Sequence, residues 1–476
     1  MGPQTKLNVQ NAVYTQLKLL ILQININSSS ITAQIKNIFS LKMALEQINN
    51  IEQVEKYPLV YIAIGIQIVF HLIDQILNYL QLTYSQRRDR PKEIKQLGFT
   101  EREFVLSQVY SFDKLVFGSI SSAFSQGIKI VFLLGYLNPF IWNNVSKILP
   151  FIDKESEFQN AYGFLLLQSL LDQVLEIPFS YFQTFTLEQR YGFNQTTLKI
   201  FITDIIKNNI ISQVITVVLL FGYLKVVEYG GKYFYFYALI FVLIVIFLMM
   251  LIYPNFIAPL FNKYEELPEG DLRNGINQLA VLNNFPLTKI YSVDGSTRSS
   301  HSNAYFFGFG KNKRIVLFDT LIKQLNHQEI YAVLCHEIGH WKYSHTFKHL
   351  GALMVRVFAF FYLFSFVIYN DSFYASFGYS QKSVFIGTHL FFEFFVPINT
   401  LMNIFTMTMS RKYEFQADNY AFQMGYAKQL YAGLIKMFKE NAGNLLPHPI
   451  YSWYHYSHPP LKERLEQIDN LLKKSN

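Results

Sequence analysis

Residues 326–342 read NHQEIYAVLCHEIGHWK. Asn326 followed by Glu329 has the pattern of a capping box, in which each side chain satisfies the other's backbone N–H at a helix start. The apolar stretch Ile330–Leu334 then leads into His336, Glu337, Ile338, Gly339 and His340. Residues four apart share a helix face, so both imidazoles can reach one zinc ion. Glu337 then stands beside the metal, where it can take a proton from a water. The plainer reading, two core histidines on a buried helix, leaves that glutamate without a purpose. Cys335, the single cysteine of the chain, reads as a buried and inert thiol. No intramolecular disulfide is possible, so the fold does not depend on an oxidising compartment.

A catalytic zinc takes a third protein ligand and keeps one position open. The metzincin spacing would require a histidine at position 346, which is Thr346, so that class is excluded. His345 and His349 are expected on the same helix, pointing away from the His336/His340 edge. The acids that follow before the tail are Asp371, Glu393, Glu414, Asp418 and Glu440. Glu414 and Asp418 are four apart, so one helix face would present a ligand carboxylate and a second carboxylate able to orient a ligand histidine. Taken alone, that stretch also reads as a solvated acidic helix edge. Glu393 is the rival ligand, placed within the last apolar segment.

Around this centre the 476-residue chain is unusually apolar. Hydrophobic residues make up 51%, aromatics 17% and charged residues only 16%, against roughly 25% charged in soluble domains. That imbalance points to long segments in lipid. The formal charge of +8 comes with no basic tract interleaved with stacking aromatics, which argues against nucleic-acid binding.

Seven segments approach the roughly 20 residues needed to cross a bilayer. They lie near Leu59–Leu80, Phe117–Trp142, Ala161–Phe185, Ile210–Leu224, Tyr233–Tyr253, Phe347–Tyr369 and Ser383–Met409, and the fourth is short. The expected organisation is an N-terminal extension over 1–56, five spans over 57–253 and a metalloprotease segment over 254–346. Two further spans over 347–409 and a C-terminal metalloprotease segment over 410–476 complete it. Polar residues recur at helical spacing within the spans: Gln67, His71, Gln75 and Asn78 with Asp74 beside them, then Gln168, Asp172 and Glu176, then His389 and Glu393. Such stripes serve either as hydrogen-bonding glue between helices or as the wall of a hydrated chamber. Their presence on three helices favours the chamber. Arg87, Arg88, Arg90, Lys92 and Lys95 follow the first span, so the positive-inside rule puts that loop in the cytoplasm. Residues 254–346 and the C-terminal tail then fall on the same side. Near the N-terminus, Leu19–Leu22 is too short for a span, Met43 is a second candidate start, and Lys6 rules out a myristoylation site at Gly2.

With these motifs in place the sequence resembles the type I CAAX prenyl proteases, a family of integral-membrane zinc endopeptidases. The resemblance runs from about Pro58 to Leu472. It is carried by IPF at 177–179, EQRYGFN at 188–194, YPNFIAPLFNK at 253–263, DGSTRSSHSNAY at 294–305 and KRIVLFDTLI at 313–322. HEIGH at 336–340, EFQAD at 414–418 and HPPLKER at 458–464 complete the series. The resemblance implies a mainly α-helical, multi-pass membrane protein. In it seven spans surround a water-filled chamber, and a gluzincin-like metalloprotease domain carries a small β-sheet. It implies one zinc ion per chain held by His336, His340 and Glu414, with Glu337 as general base and Asp418 behind the ligands. His458 and Arg464 match positions near the metal that steady the oxyanion or the substrate. Asn303, Ala304 and Tyr305 are similar to an edge strand that aligns substrate by strand addition.

The implied function is removal of the C-terminal tripeptide from prenylated CAAX proteins at a lipid bilayer. The N-terminal extension is longer than the family pattern. The tail, ending Lys473, Lys474, Ser475 and Asn476, fits a dilysine signal for the endoplasmic reticulum, with the inner nuclear membrane as a second location. Two other readings compete. One is a broader zinc protease that clears stalled or misfolded chains from the membrane. The other is a transporter or scaffold with structural zinc, against which Glu337 argues.

Overall fold

The computed structural model describes residues 59–308 and 310–475. The expected N-terminal extension, with Leu19–Leu22 and Met43, lies outside the described residues, as does Asn476 of the dilysine tail. The membrane part opens with α1 (Leu59–Ser85), α2 (Glu101–Leu134), α3 (Leu137–Ile148), α4 (Glu157–Phe182), α5 (Leu198–Gly230) and α6 (Phe234–Ile252). Next comes a small mixed sheet of β1 (Tyr264–Glu266), β2 (Leu287–Val293), β3 (Ala304–Phe307) and β4 (Lys313–Phe318), with α7 (Asp271–Leu282) between its first two strands. Helices α8 (His327–Lys342), α9 (His345–Phe364), α10 (Val384–Gln423), α11 (Ala427–Glu440), α12 (Pro449–His455) and α13 (Leu461–Ser475) follow.

Helix occupies all seven segments singled out for their apolarity, but with different bounds. Among the described residues five helical runs are long and apolar enough to cross a membrane. The run Leu198–Leu260 counts as one of these, although Gly231, at φ 51°, separates α5 from α6. Helix α4 is not among the five, because Gln168, Asp172 and Glu176 dilute its apolarity. The second segment does not continue to Trp142: α2 begins at Glu101 under a Thr100–Glu103 capping box and stops at Gly135. Tyr136, at φ 49°, turns the chain into α3. The fourth is not short, since α5 runs 33 residues. On α5, Ile206, Ile210, Val214 and Val218 are all exposed at a spacing of four, an apolar stripe suited to lipid.

Interhelical hydrogen bonds take up part of the polar stripes. Asn78 of α1 donates to Ser119 Oγ (3.1 Å), and Gln168 of α4 donates to Asn138 Oδ1 (2.8 Å). A third such bond has a covalent cause. Pro397 inside α10 has no N–H for the carbonyl four residues back, which is that of Glu393. Gln67 of α1 supplies the missing donor at 3.4 Å. A carbonyl freed within lipid must find such a partner.

The sheet order is β1-β2-β4-β3, with β2 and β4 parallel and the outer pairs antiparallel. Strand β3 therefore has a free edge within the described sheet. Buried Ile290, Ile315 and Leu317 join the sheet to Leu334 and Cys335 of α8 in one core. The same core takes in Ile94 and Phe99 from the basic loop after α1.

Helices α8 and α10 meet at Gly339. A Cβ built there would lie 3.0 Å from Tyr420 Cβ and 3.1 Å from Ala417 Cα, so nothing larger than hydrogen fits without a shift. Gly339→Val is expected to destabilise the protein by about 1–3 kcal/mol through overpacking. It should also reduce bound metal, because the ligands sit on these two helices. Thermal unfolding in detergent and metal analysis of the purified variant check both effects.

Candidate metal centre

The meeting of α8 and α10 sets the site. His336 and His340 are one turn apart on α8, and Glu414 and Asp418 are one turn apart on α10. With Gly339 against Ala417, the two imidazoles face the two carboxylates. The Asn326–Glu329 capping box that opens α8 is present as read from the sequence.

His336 Nε2 lies 3.1 Å from His340 Nε2 and 3.5 Å from Glu414 Oε2. His340 Nε2 lies 3.2 Å from Glu414 Oε1. One ligand atom from each of these residues falls within 4.8 Å of the others. Tetrahedral ligands at about 2.0–2.1 Å from an ion stand roughly 3.4 Å from one another. The three side chains are therefore grouped closely enough to share a small divalent cation.

The far side of each imidazole is held as well. Asp418 Oδ1 lies 2.8 Å from His336 Nδ1, which directs Nε2 toward Glu414. Burial disfavours the charged ring of His336, but the hydrogen bonds it donates to Asp418 and Glu414 outweigh this and raise its pKa to about 9. The same acceptors favour a metal cation. Arg464, buried beneath the cluster, donates to both Asp418 oxygens (2.8 and 2.6 Å) and lies 3.5 Å from Glu414 Oε2. His458, largely exposed, places Nδ1 2.9 Å from Glu414 Oε2.

Two expectations change here. His345 and His349 are not on the helix of His336, because Ser344 at φ 54° ends that helix and starts α9. His345 also turns toward the site, its Nδ1 2.9 Å from His340 Nδ1 and its Nε2 2.9 Å from Gln416 Oε1. It is the residue sequence reading missed. Extending the helix past Lys342 concealed it, and the left-handed residue that redirects it has no sequence signal, since serine is not a usual choice there. Glu393, the rival ligand, lies elsewhere and pairs with Lys129 at 2.9 Å. Cys335 is fully buried and its thiol is pushed up to about 12 by burial, as expected of an inert cysteine.

Glu337 and His340 open onto a cleft of about 1200 Å³, walled also by Ile246 and Met250 of α6 and by Tyr305 and Phe307 of β3. Burial pushes the Glu337 carboxyl above the ordinary glutamate range. Of the expected substrate strand, Ala304 and Tyr305 lie in β3, and Asn303 precedes it with its carbonyl bonded to Phe318 N–H.

Residues 80–263 match the family described as "CAAX prenyl protease N-terminal, five membrane helices", and residues 266–472 match peptidase family M48. The CAAX prenyl protease 1 homolog of Arabidopsis thaliana is 39% identical over 88% of this chain and 99% of its own. The chain belongs to the type I CAAX prenyl protease family. CAAX prenyl protease 1 of Saccharomyces cerevisiae is 34% identical, covering 92% of this chain and 99% of its own. A crystal structure of S. mikatae Ste24p superposes with a TM-score of 0.82 at 35% identity, over 87% of this chain and 99% of that one. Prenyl proteases of this type are metalloendopeptidases of the membrane, and the His336, His340 and Glu414 grouping is where this chain could hold the metal.

Proposed function

We propose that the protein removes the C-terminal tripeptide from prenylated CAAX proteins with one zinc ion bound by His336, His340 and Glu414. The observation that carries this reading is a base and a metal-ligand set opening onto one lipid-compatible cleft. Zinc held there would supply Lewis-acid polarisation of the scissile carbonyl and a water of lowered pKa. Glu337 takes the proton of the attacking water and returns it to the leaving amine. Asp418 and His345 keep the ligand imidazoles oriented, and Arg464 holds Asp418 and Glu414 in place. His458, beside Glu414, hydrogen-bonds the developing oxyanion. Asn303 and the free edge of β3 at Ala304 and Tyr305 pair with substrate backbone.

The seven helical segments form the membrane domain and enclose a hydrated chamber. It is supported by the cleft onto which Glu337 and His340 open. The basic loop Arg87–Lys95 shares its core with α8 and so lies on the side of the metalloprotease segments. The positive-inside rule makes that side cytoplasmic, and the dilysine tail suits the endoplasmic reticulum.

The test is a chelator-sensitive cleavage assay on a farnesylated CAAX peptide beside its unprenylated twin. The lipid should raise kcat/KM by at least the roughly tenfold that one methylene earns in an apolar pocket. Equal turnover of both peptides would instead mark a broader membrane protease clearing unlipidated chains.

A further inference from the structure

A second cavity, of about 450 Å³, lies at the opposite end of β3 from the metal cleft. The metal cleft is lined by Tyr305, Phe306 and Phe307, whereas His301, three residues ahead of β3, lines the second cavity. The two differ in chemistry. The first presents Ile246, Met249 and Met250; the second presents Lys114, Ser111, Asn441 and Asn444.

Lys114 is an exposed cation on α2 facing this space. Its acidic neighbours have other partners as well. Asp113 pairs with Arg190 at 2.9 Å, and Glu188, on which the Lys114 charge also acts, accepts from the Tyr110 hydroxyl at 2.9 and 2.8 Å and lies 3.8 Å from His301 Nε2. Among the described residues Lys114 donates to that hydroxyl, at 3.3 Å, and its ammonium lies 4.7 Å from the centre of the Tyr110 ring. His301 is braced beside it, with Nδ1 3.1 Å from Asn441 Oδ1 and its ring stacked on Phe193 at 4.4 Å.

Strand addition to β3 joins the two cavities. A substrate segment antiparallel to β3 runs from the Phe307 end toward the His301 end. Its N-terminal side then occupies the apolar cleft and its C-terminal side approaches Lys114. On the function proposed above, the prenylated residue lies on the N-terminal side of the scissile bond. Three residues and a free carboxylate lie on the other side. Three extended residues cover about 10 Å, the same run of chain that separates Ala304 from His301. Greasy end and anionic end each meet a cavity of matching chemistry, and the reverse direction mismatches both.

We propose that the Lys114 cavity binds the C-terminal carboxylate of the substrate. This makes Lys114 a specificity-determining residue that recognises the end of a chain rather than its side chains. The inference rests on the prenyl-protease reading.

The test compares a farnesylated CAAX peptide with its C-terminal amide on the wild-type protein, Lys114→Gln and Lys114→Arg. The quantity read is the ratio of kcat/KM for acid over amide. A smaller folded fraction scales both substrates alike and leaves this ratio unchanged. A charge-assisted contact of ordinary strength predicts a ratio of about ten or more in the wild type. The ratio should fall to about one in Lys114→Gln and persist in Lys114→Arg. A wild-type ratio near one, or a ratio that Lys114→Gln leaves intact, overturns the proposal. Failure of the wild type to cleave either peptide overturns instead the functional reading beneath it.

Discussion

Glu337→Gln is expected to reduce kcat on a farnesylated CAAX peptide by roughly 10²–10⁴-fold, the contribution of a positioned general base, while the purified protein keeps its metal. The substitution preserves size and hydrogen-bonding reach but cannot take up a proton. Glu337 is one residue past His336 and is absent from the metal-ligand group, so its loss leaves His336, His340 and Glu414 as they stand. Removing its charge from a buried position also costs the fold little, because burial already disfavours the charged carboxylate. Full activity in this variant would falsify the mechanism. Loss of metal along with activity would mean that Glu337 holds the ion rather than the proton.

Glu414→Gln should show the complementary pattern, with loss of both metal and activity. Glu414 meets both ligand histidines on one side and His458 and Arg464 on the other. An amide keeps the volume but loses the charge that balances two imidazoles, a guanidinium and a divalent ion. Its effect on metal affinity should exceed the 10–100-fold that loss of an outer hydrogen-bonding partner costs. Metal analysis after dialysis against a graded chelator series separates the variants. Glu337→Gln should retain zinc at chelator concentrations that strip Glu414→Gln. Equal retention by the two would remove Glu414 from the ligand set.

Local periodicity carried most of what could be read in advance. The pairs His336/His340 and Glu414/Asp418 each recur at four, and a helix turns that spacing into a shared face without help from the rest of the fold. The same logic found the capping box at Asn326 and Glu329. What it could not do was match one pair to the other. Glu393, the rival carboxylate within the last apolar segment, is excluded only by packing, which pairs it with Lys129. Arg464 had no local signal at all, since its position behind Asp418 depends on how α13 docks, and only the family resemblance pointed to it. Errors clustered where the backbone leaves the helical region. Ser344 adopts positive φ without being glycine, so nothing local foretells the break after α8, whereas the break after α2 carries a stop signal in Gly135.

Helix α10 extends without a break from within the apolar spans to Asp418. Forty residues at 1.5 Å each make a rod about 60 Å long, twice the roughly 30 Å thickness of a hydrocarbon layer. Because no loop intervenes, the length of this rod fixes the distance of Glu414 and Asp418 from the apolar start of the helix. It also makes the segment intolerant of length change. One residue inserted between Met409 and Glu414 would rotate both carboxylates by about 100° and lift them 1.5 Å. Point changes can accumulate on the lipid-facing side of this rod, whereas insertions and deletions must be confined to the loops that do not set the reach of the catalytic groups.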